Sequence, residues 1–335
     1  MTRPPTIYSL AADLGVHAST VSRAFSRPEL ITPEIRDRVL ARAAEVGYRP
    51  NQAARSLVTG RNAAIGLVLP DIENPFFPPL VRATQAASSG AGRRVILSDG
   101  EMRPDRELEL SAELAEHVDG LLIASPLNTP AALREATGGT PVVLINRRSS
   151  GFSSVIVDNS AALRDAAQEL TARGHRRIAF LGGPDDSWTA ARRATAIRRW
   201  SSSDADVVQV GGFDASYDGG RRAAEALAHS GATAGIAFDD LMACGVLAGL
   251  AEHGISVPRD FSLIGCDDVL ISRVLTPPLT TIAAPIEELG RLAVETLDEL
   301  ITTPDRPSRS RTLRGALVVR ASIGPPPRRL RTFLS

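Results

Sequence analysis

The 335-residue chain contains no lysine, and all 38 of its Lys/Arg positions are arginine. Together with abundant alanine, this reads as GC-rich coding bias rather than selection for guanidinium chemistry, so a single arginine is weak grounds for an anionic ligand. Net charge is zero, which removes any bulk-charge case for a nucleic-acid partner. Only two cysteines occur, Cys244 and Cys266, far apart and each within an apolar run. That spacing speaks against a disulfide framework or a metal site and for buried, reduced thiols. A chain of this length needs no such staple. No apolar run approaches the roughly 20 residues of a membrane helix. No hydrophobic signal segment follows Met1 to Pro5. A soluble, cytosolic protein is therefore expected.

Catalytic signatures are also missing. There is no Walker loop, no Gly-x-Ser-x-Gly, no metal-spaced histidine pair and no Cys-x-x-Cys. His117, His175, His229 and His253 are scattered at helix ends, where capping is the simple account. The pairs Asp239-Asp240 and Asp267-Asp268 suit hydroxyl binding or helix capping better than metal binding. No enzyme activity, cofactor or metal is expected.

What the chain does have is a change of texture near residue 60. Before it, eight arginines face five acids in residues 1–60, a modest positive bias suited to a DNA module. Thr6 is a candidate N-cap for a helix over Ile7–Leu14, stopped by Gly15. A second helix is predicted over Ala18–Ser26. Thr32-Pro33-Glu34 marks a third start, and Gly47 ends that helix. The expected core of this helix-turn-helix is Leu10, Leu14, Val16, Val21, Phe25, Ile35, Val39 and Val46. Asn51 is a candidate N-cap for a short helix over Gln52–Val58, too short to be stable alone in water.

After residue 62, continuously apolar runs alternate with Ala/Arg/Glu-rich helical stretches. The runs are Ile65–Leu69, Arg94–Leu97, Gly120–Ile123, Val142–Ile145, Val155–Val157, Ile178–Leu181, Val207–Val210, Gly235–Phe238, Leu263–Gly265, Thr281–Ala283 and Leu317–Val319. Continuous rather than alternating hydrophobicity fits parallel strands covered on both faces. Intervals of about 25–30 residues fit βαβ units. The runs are too many for one compact sheet, so two doubly wound parallel sheets are expected, with a ligand in the cleft at their strand ends. Gly138-Gly139 and the segments 149–154, 201–205 and 302–310 read as loops. The Pro/Arg-rich tail 325–335 reads as disordered and lacks coiled-coil heptads.

An ordered series of motifs runs through the whole chain. It includes Val21-Ser22-Arg23, Gly47-Tyr48-Arg49-Pro50-Asn51, Ala54-Arg55-Ser56-Leu57, Ile65-Gly66-Leu67-Val68 and Asn74-Pro75-Phe76-Phe77. It continues through Val118-Asp119-Gly120, Val157-Asp158-Asn159, Gly174-His175-Arg176-Arg177-Ile178 and Asp240-Leu241-Met242-Ala243. It ends with Val257-Pro258-Arg259-Asp260, Ile264-Gly265-Cys266-Asp267-Asp268 and Leu275-Thr276-Pro277-Pro278-Leu279-Thr280-Thr281. In these motifs the chain resembles the LacI/GalR family of transcriptional regulators along nearly its full length. The resemblance implies an all-α DNA-binding headpiece (1–48), a hinge helix and linker (49–61) and an α/β, periplasmic-binding-protein-like body (62–324). The body's N-subdomain would comprise 62–159 and 284–308, and its C-subdomain 160–283 and 309–324.

The same resemblance implies the site residues. His17, Ala18, Ser19, Thr20, Ser22 and Arg23 would face DNA from the second helix. A bidentate Arg23–guanine contact is worth roughly 1–3 kcal/mol of discrimination, the alternative being a solvated or phosphate-bound arginine. His17 either contacts a phosphate or caps the helix. In the hinge, Asn51, Ala54, Arg55 and Leu57 would meet the minor groove, with Leu57 wedged at a base step; the alternative for Leu57 is packing on the next domain. Phe76, Asn146, Arg147, Arg193, Phe213, Asp239 and Asp267 would line the effector cleft. The chain departs from the family at Arg193-Ala194-Thr195-Ala196-Ile197, where Arg-x-x-Gly-Phe is usual, in a shortened segment 200–207, and at Trp188. The resulting expectation is a homodimeric repressor that binds double-stranded operator DNA under the control of a small molecule, a carbohydrate or related metabolite. Members that release DNA on binding ligand and members that bind it share these motifs. The alternative is a solute-binding protein of transport type, which would carry a signal peptide and no DNA-binding module.

Overall fold

The computed structural model describes residues 5–48, 62–200, 205–227 and 229–327. The expected hinge residues Asn51, Ala54, Arg55 and Leu57, and most of the tail, lie outside the described residues. The chain separates into two compact units, 1–62 and 63–335.

The first unit packs α1 (Ile7–Leu14), α2 (Ala18–Ser26) and α3 (Pro33–Val46), with a 3-10 turn at Pro28–Leu30. Thr6 and Ser9 form a reciprocal capping box: Ser9 N–H donates to Thr6 Oγ1 at 3.1 Å and Thr6 N–H to Ser9 Oγ at 2.9 Å. Gly15, at φ 65°, closes α1 in the left-handed region that glycine enters without a Cβ penalty. Leu10, Val21 and Val39 are fully buried, and Leu14, Val16, Phe25, Ile35 and Val46 pack around them. Ala11, Ala24 and Ala43 complete the centre, small side chains that let the three helices approach closely. Arg42 on α3 reaches Asp13 on α1 at 2.8 Å.

The second unit holds two six-stranded sheets. The first contains β1 (Ala64–Leu69), β2 (Arg94–Asp99), β3 (Leu121–Ala124), β4 (Val142–Ile145), β5 (Ser153–Asp158) and β11 (Ser310–Arg314), in the order β11-β5-β4-β3-β1-β2. Every pairing in it is parallel. The second contains β6 (Arg177–Gly182), β7 (Asp206–Gly212), β8 (Ala234–Ile236), β9 (Ser262–Asp267), β10 (Thr280–Ala283) and β12 (Ala316–Val318), in the order β12-β10-β9-β8-β6-β7. Only β12, antiparallel to β10, breaks its parallel pattern.

Helices cover both faces of each sheet. On the first, α4 (Phe77–Gly90) and α12 (Ile286–Thr302) bury Leu80, Leu289 and Leu297 against Ile65, Leu67 and Leu122. On its other face, α5 (Pro104–Ala115) and α6 (Pro130–Thr137) bring Leu114 and Leu133 to Val68, Ile123 and Leu144. The second sheet lies between α7 (Ser160–Ala172) with α8 (Trp188–Arg198), and α9 (Tyr217–Leu227) with α10 (Asp240–Glu252). A short α11 (Leu270–Val274) follows β9. This double cover is why the central strands read as unbroken apolar runs.

The backbone passes between the lobes after β5, after β10 and between β11 and β12. The expected assignment of 309–324 to the C-subdomain needs correction, because Ser310–Arg314 pairs with Ser154–Asp158 of the first sheet. The crossing falls at Gly315, where a Cβ would collide with Asn159 Oδ1. The segment 302–310, expected as loop, runs directly into this edge strand. Its residues alternate between exposed and half-buried, with arginines at 311 and 314, so no apolar run announces it.

Candidate functional site

Two sites follow from the two units. On the headpiece, α2 turns Val21 and Ala24 into the core and leaves Ser19, Ser22 and Arg23 exposed. His17 resolves toward capping: its Nδ1 accepts Ser19 N–H at 3.3 Å and lies 2.8 Å from Ser19 Oγ. Ala18 is half-buried against the helical core, and Thr20 is half-buried. The outward surface of α2 is therefore carried by Ser19, Ser22 and Arg23.

In the body, a cleft opens at the carboxyl ends of the strands of both sheets, the position expected for a ligand in open α/β folds. The cleft is narrow and open to solvent at its mouth, and it is lined from both lobes by apolar and polar side chains, the mixture typical of small-molecule sites. Of the expected effector residues, Phe76, Asn146, Arg193, Asp239 and Asp267 line it. Arg147 and Phe213 do not. Arg147 donates to the carbonyls of Pro126 and Asn128, both at 2.8 Å, and so staples the loop after β3. Phe213 packs on the second lobe's core, over Gly211 at φ 58°.

Arg193 organises the floor. Its side chain is 11% exposed and donates from Nη2 to Asp267 Oδ1 at 3.2 Å. Nη1 donates to the Phe238 carbonyl, and the guanidinium lies 4.8 Å from the centre of the Phe238 ring. Its Nε–H is buried with no partner, a donor left for a ligand hydroxyl or carbonyl. Burial pushes the Asp267 carboxyl well above its usual range, opposed by the neighbouring Arg193. Burial likewise raises Asp239, whose Oδ1 caps α10 by accepting Met242 N–H at 2.7 Å. Below the floor, Asp240 is 1% exposed and accepts from Thr281 Oγ1 at 2.6 Å and from Val269 N–H at 3.0 Å. Burial raises its pKa to about 7.

The wall of the first lobe carries Phe76 and Phe77, edge to face at 5.3 Å. Among the described residues, two hydrogen bonds join the lobes across the cleft. Asn74 Nδ2 donates to Asp239 Oδ2 at 3.2 Å, and Thr189 Oγ1 donates to the Asn146 carbonyl at 3.2 Å. Met102, Ser125, Asn146 and Asp267 line the cleft with positive φ despite having side chains, a strained backbone of the kind that gathers at binding sites. The sequence reading missed Asn74, Met102, Ser125, Thr189 and Phe238 as cleft residues. Asn74 stood in a quoted motif; the others carry no local signal. Among the described residues, no group of three or more His, Cys, Asp or Glu is placed to hold a metal ion, and no helix is long and apolar enough to cross a membrane.

Comparison with known proteins agrees in both units. Residues 6–51 match the family described as bacterial regulatory proteins, lacI family, and residues 167–323 match a periplasmic binding protein-like domain. The ribose operon repressor of Bacillus subtilis (strain 168) is 36% identical over 298 residues, spanning 87% of this chain and 90% of the relative. The HTH-type transcriptional repressor CytR of Escherichia coli (strain K12) is 30% identical, spanning 95% of this chain and 96% of the relative. Among solved structures, a lac repressor dimer bound to operator and the anti-inducer ONPF has a TM-score of 0.84 at 27% identity, covering 96% of this chain and 99% of that one. A LacI family regulator from Enterococcus faecium with bound ribose has a TM-score of 0.69 at 28% identity, covering 78% of this chain and 99% of that one.

Proposed function

Because the chain belongs to the lacI family of bacterial regulatory proteins, we propose that it is a sequence-specific DNA-binding repressor whose operator affinity is set by a small effector, a sugar or related metabolite, held between its two lobes. The observation that carries this reading is the pairing, in one chain, of an outward-facing polar surface on α2 with a cleft whose buried arginine keeps a free donor. Ser19, Ser22 and Arg23 read the major groove. Asn51, Ala54, Arg55 and Leu57 act in the hinge, and two chains bind a pseudo-palindromic site as a homodimer. Arg193 and Asp267 present a donor and an acceptor side by side, which suits neighbouring hydroxyl groups, while Phe76 offers an apolar face.

The test is a mobility-shift titration of the full-length protein. DNA sites selected from a random pool are titrated at one fixed salt concentration, with and without a panel of pentoses, hexoses, disaccharides and nucleosides. A pseudo-palindromic site whose affinity changes with one of them is the expected result. Uniform binding to all DNA, indifferent to every compound, would overturn it.

A further inference from the structure

Asp239 was expected to read the effector, yet both of its oxygens are engaged by protein. Oδ1 accepts Met242 N–H at 2.7 Å, and Oδ2 accepts the Asn74 amide at 3.2 Å from the opposite lobe. At 3% exposure, this carboxylate needs such partners. The orientation of the Asn74 amide follows from its other end: Oδ1 accepts Phe76 N–H at 3.0 Å, leaving Nδ2 to face the carboxylate. One side chain thus holds the turn that presents Phe76 and bridges to the N-cap of α10.

We propose that Asn74 is the closure latch of the body: its amide holds Asp239 across the cleft, fixes Phe76 against the ligand space, and makes the closed lobe arrangement partly self-supporting. The inference rests on the reading of the cleft as the effector site. Asp239 accordingly positions the lobes rather than contacting the ligand. Removing this hydrogen bond to a charged group leaves the effector to drive closure with only the weaker Thr189–Asn146 bond to help it, so the apparent effector affinity falls by roughly tenfold.

An isosteric replacement separates latch from turn. Asn74→Asp keeps an acceptor for Phe76 N–H but sets a second carboxylate against Asp239. The groups around Asp239 are Arg193 on α8, Asp267 at the end of β9, the adjacent Asp240, and the Cys244 and Cys266 thiols, with Asp71 and Asp186 also lining the cleft. Facing carboxylates repel when both are ionised and share a proton when one is not.

The experiment measures the distance between lobes in the full-length protein, using spin labels on Glu113→Cys in α5 and Glu225→Cys in α9, with labelled chains diluted into unlabelled protein. Both native thiols are buried, so labelling falls on the introduced cysteines. The wild-type background should show one closed distance. Asn74→Asp should add a longer, open distance at about pH 8 that disappears at about pH 5, whereas Asn74→Ala should show it at both. Identical distances for Asn74→Asp and wild type at about pH 8 overturn the proposal, as does an open population that pH does not move. No ligand enters these measurements, so their failure is distinct from failure of the effector reading, which Arg193→Ala tests.

Discussion

At the scale of single residues, Arg193 and Asp240 carry the clearest consequences. Arg193 is bound on two sides by Asp267 and the Phe238 carbonyl and retains one unpartnered Nε–H. Arg193→Ala should abolish the response to effector while sparing operator binding; a variant still responding at wild-type effector concentrations in a mobility-shift titration refutes the assignment. Asp240 makes a stability prediction. Its folded pKa of about 7 lies above its ordinary 3.8, so between those values the native state holds a proton that the unfolded chain has lost. Stability from this group therefore declines as pH rises through that window, by on the order of 4 kcal/mol in total, and is flat above it. Burial lowers the His175 pKa, which acts in the opposite sense below its ordinary 6.5, so the informative quantity is the difference between two proteins. Urea midpoints of wild type and Asp240→Asn should diverge in slope from about pH 4 to about pH 7; parallel slopes would remove Asp240 from the account. Both residues show what local sequence conveys. An arginine in a quoted pattern was legible as a cleft residue. The burial that raises Asp240 was not, because it depends on elements distant in the chain; the hydrogen bonds from Thr281 and Val269, which oppose that rise, arrive from elsewhere too.

At the scale of elements, the helices of the headpiece were the most legible part, since their ends are written in adjacent residues. Thr6, Gly15, Pro33 and Gly47 each act within one turn, whereas the Thr32 side chain makes no cap hydrogen bond; the observed bounds of α1 and α2 coincide with those expected. Thr6→Ala removes an acceptor from the capping box and should destabilise the headpiece by about 1 kcal/mol; an unchanged thermal midpoint for the headpiece transition contradicts that role. β11 shows the opposite case. It is an edge strand whose residues answer to partners far away: Arg311 pairs with Glu299 at 2.8 Å and Glu295 at 3.3 Å on α12. Periodicity cannot report an edge strand secured by ion pairs, so the boundary expected from the sequence falls one strand too early, and pairing with β5 places Ser310–Arg314 in the first lobe.

At the scale of the whole molecule, function requires that ligand in the body alter DNA binding at the other end of the chain, which is linkage between two sites. The proposed coupling segment is the hinge, whose short helix would be marginal alone. Leu57→Ala should weaken operator binding strongly at fixed salt while leaving effector affinity in the cleft unchanged; equal operator affinity for both proteins sinks the wedge. By itself the sequence determined the class of protein: an ordered series of short motifs, unbroken apolar runs and local helix signals sufficed for a headpiece joined to two doubly wound lobes. These features depend on neighbours in the chain, and they survive in one dimension. Only the tertiary structure decided which side chains meet. It removed Arg147 and Phe213 from the cleft, brought in Asn74 and Phe238, and set Asp239 against the opposite lobe. The physical reason is that those contacts join strand ends far apart in sequence, where position follows from how two sheets close on each other rather than from any residue's own preference.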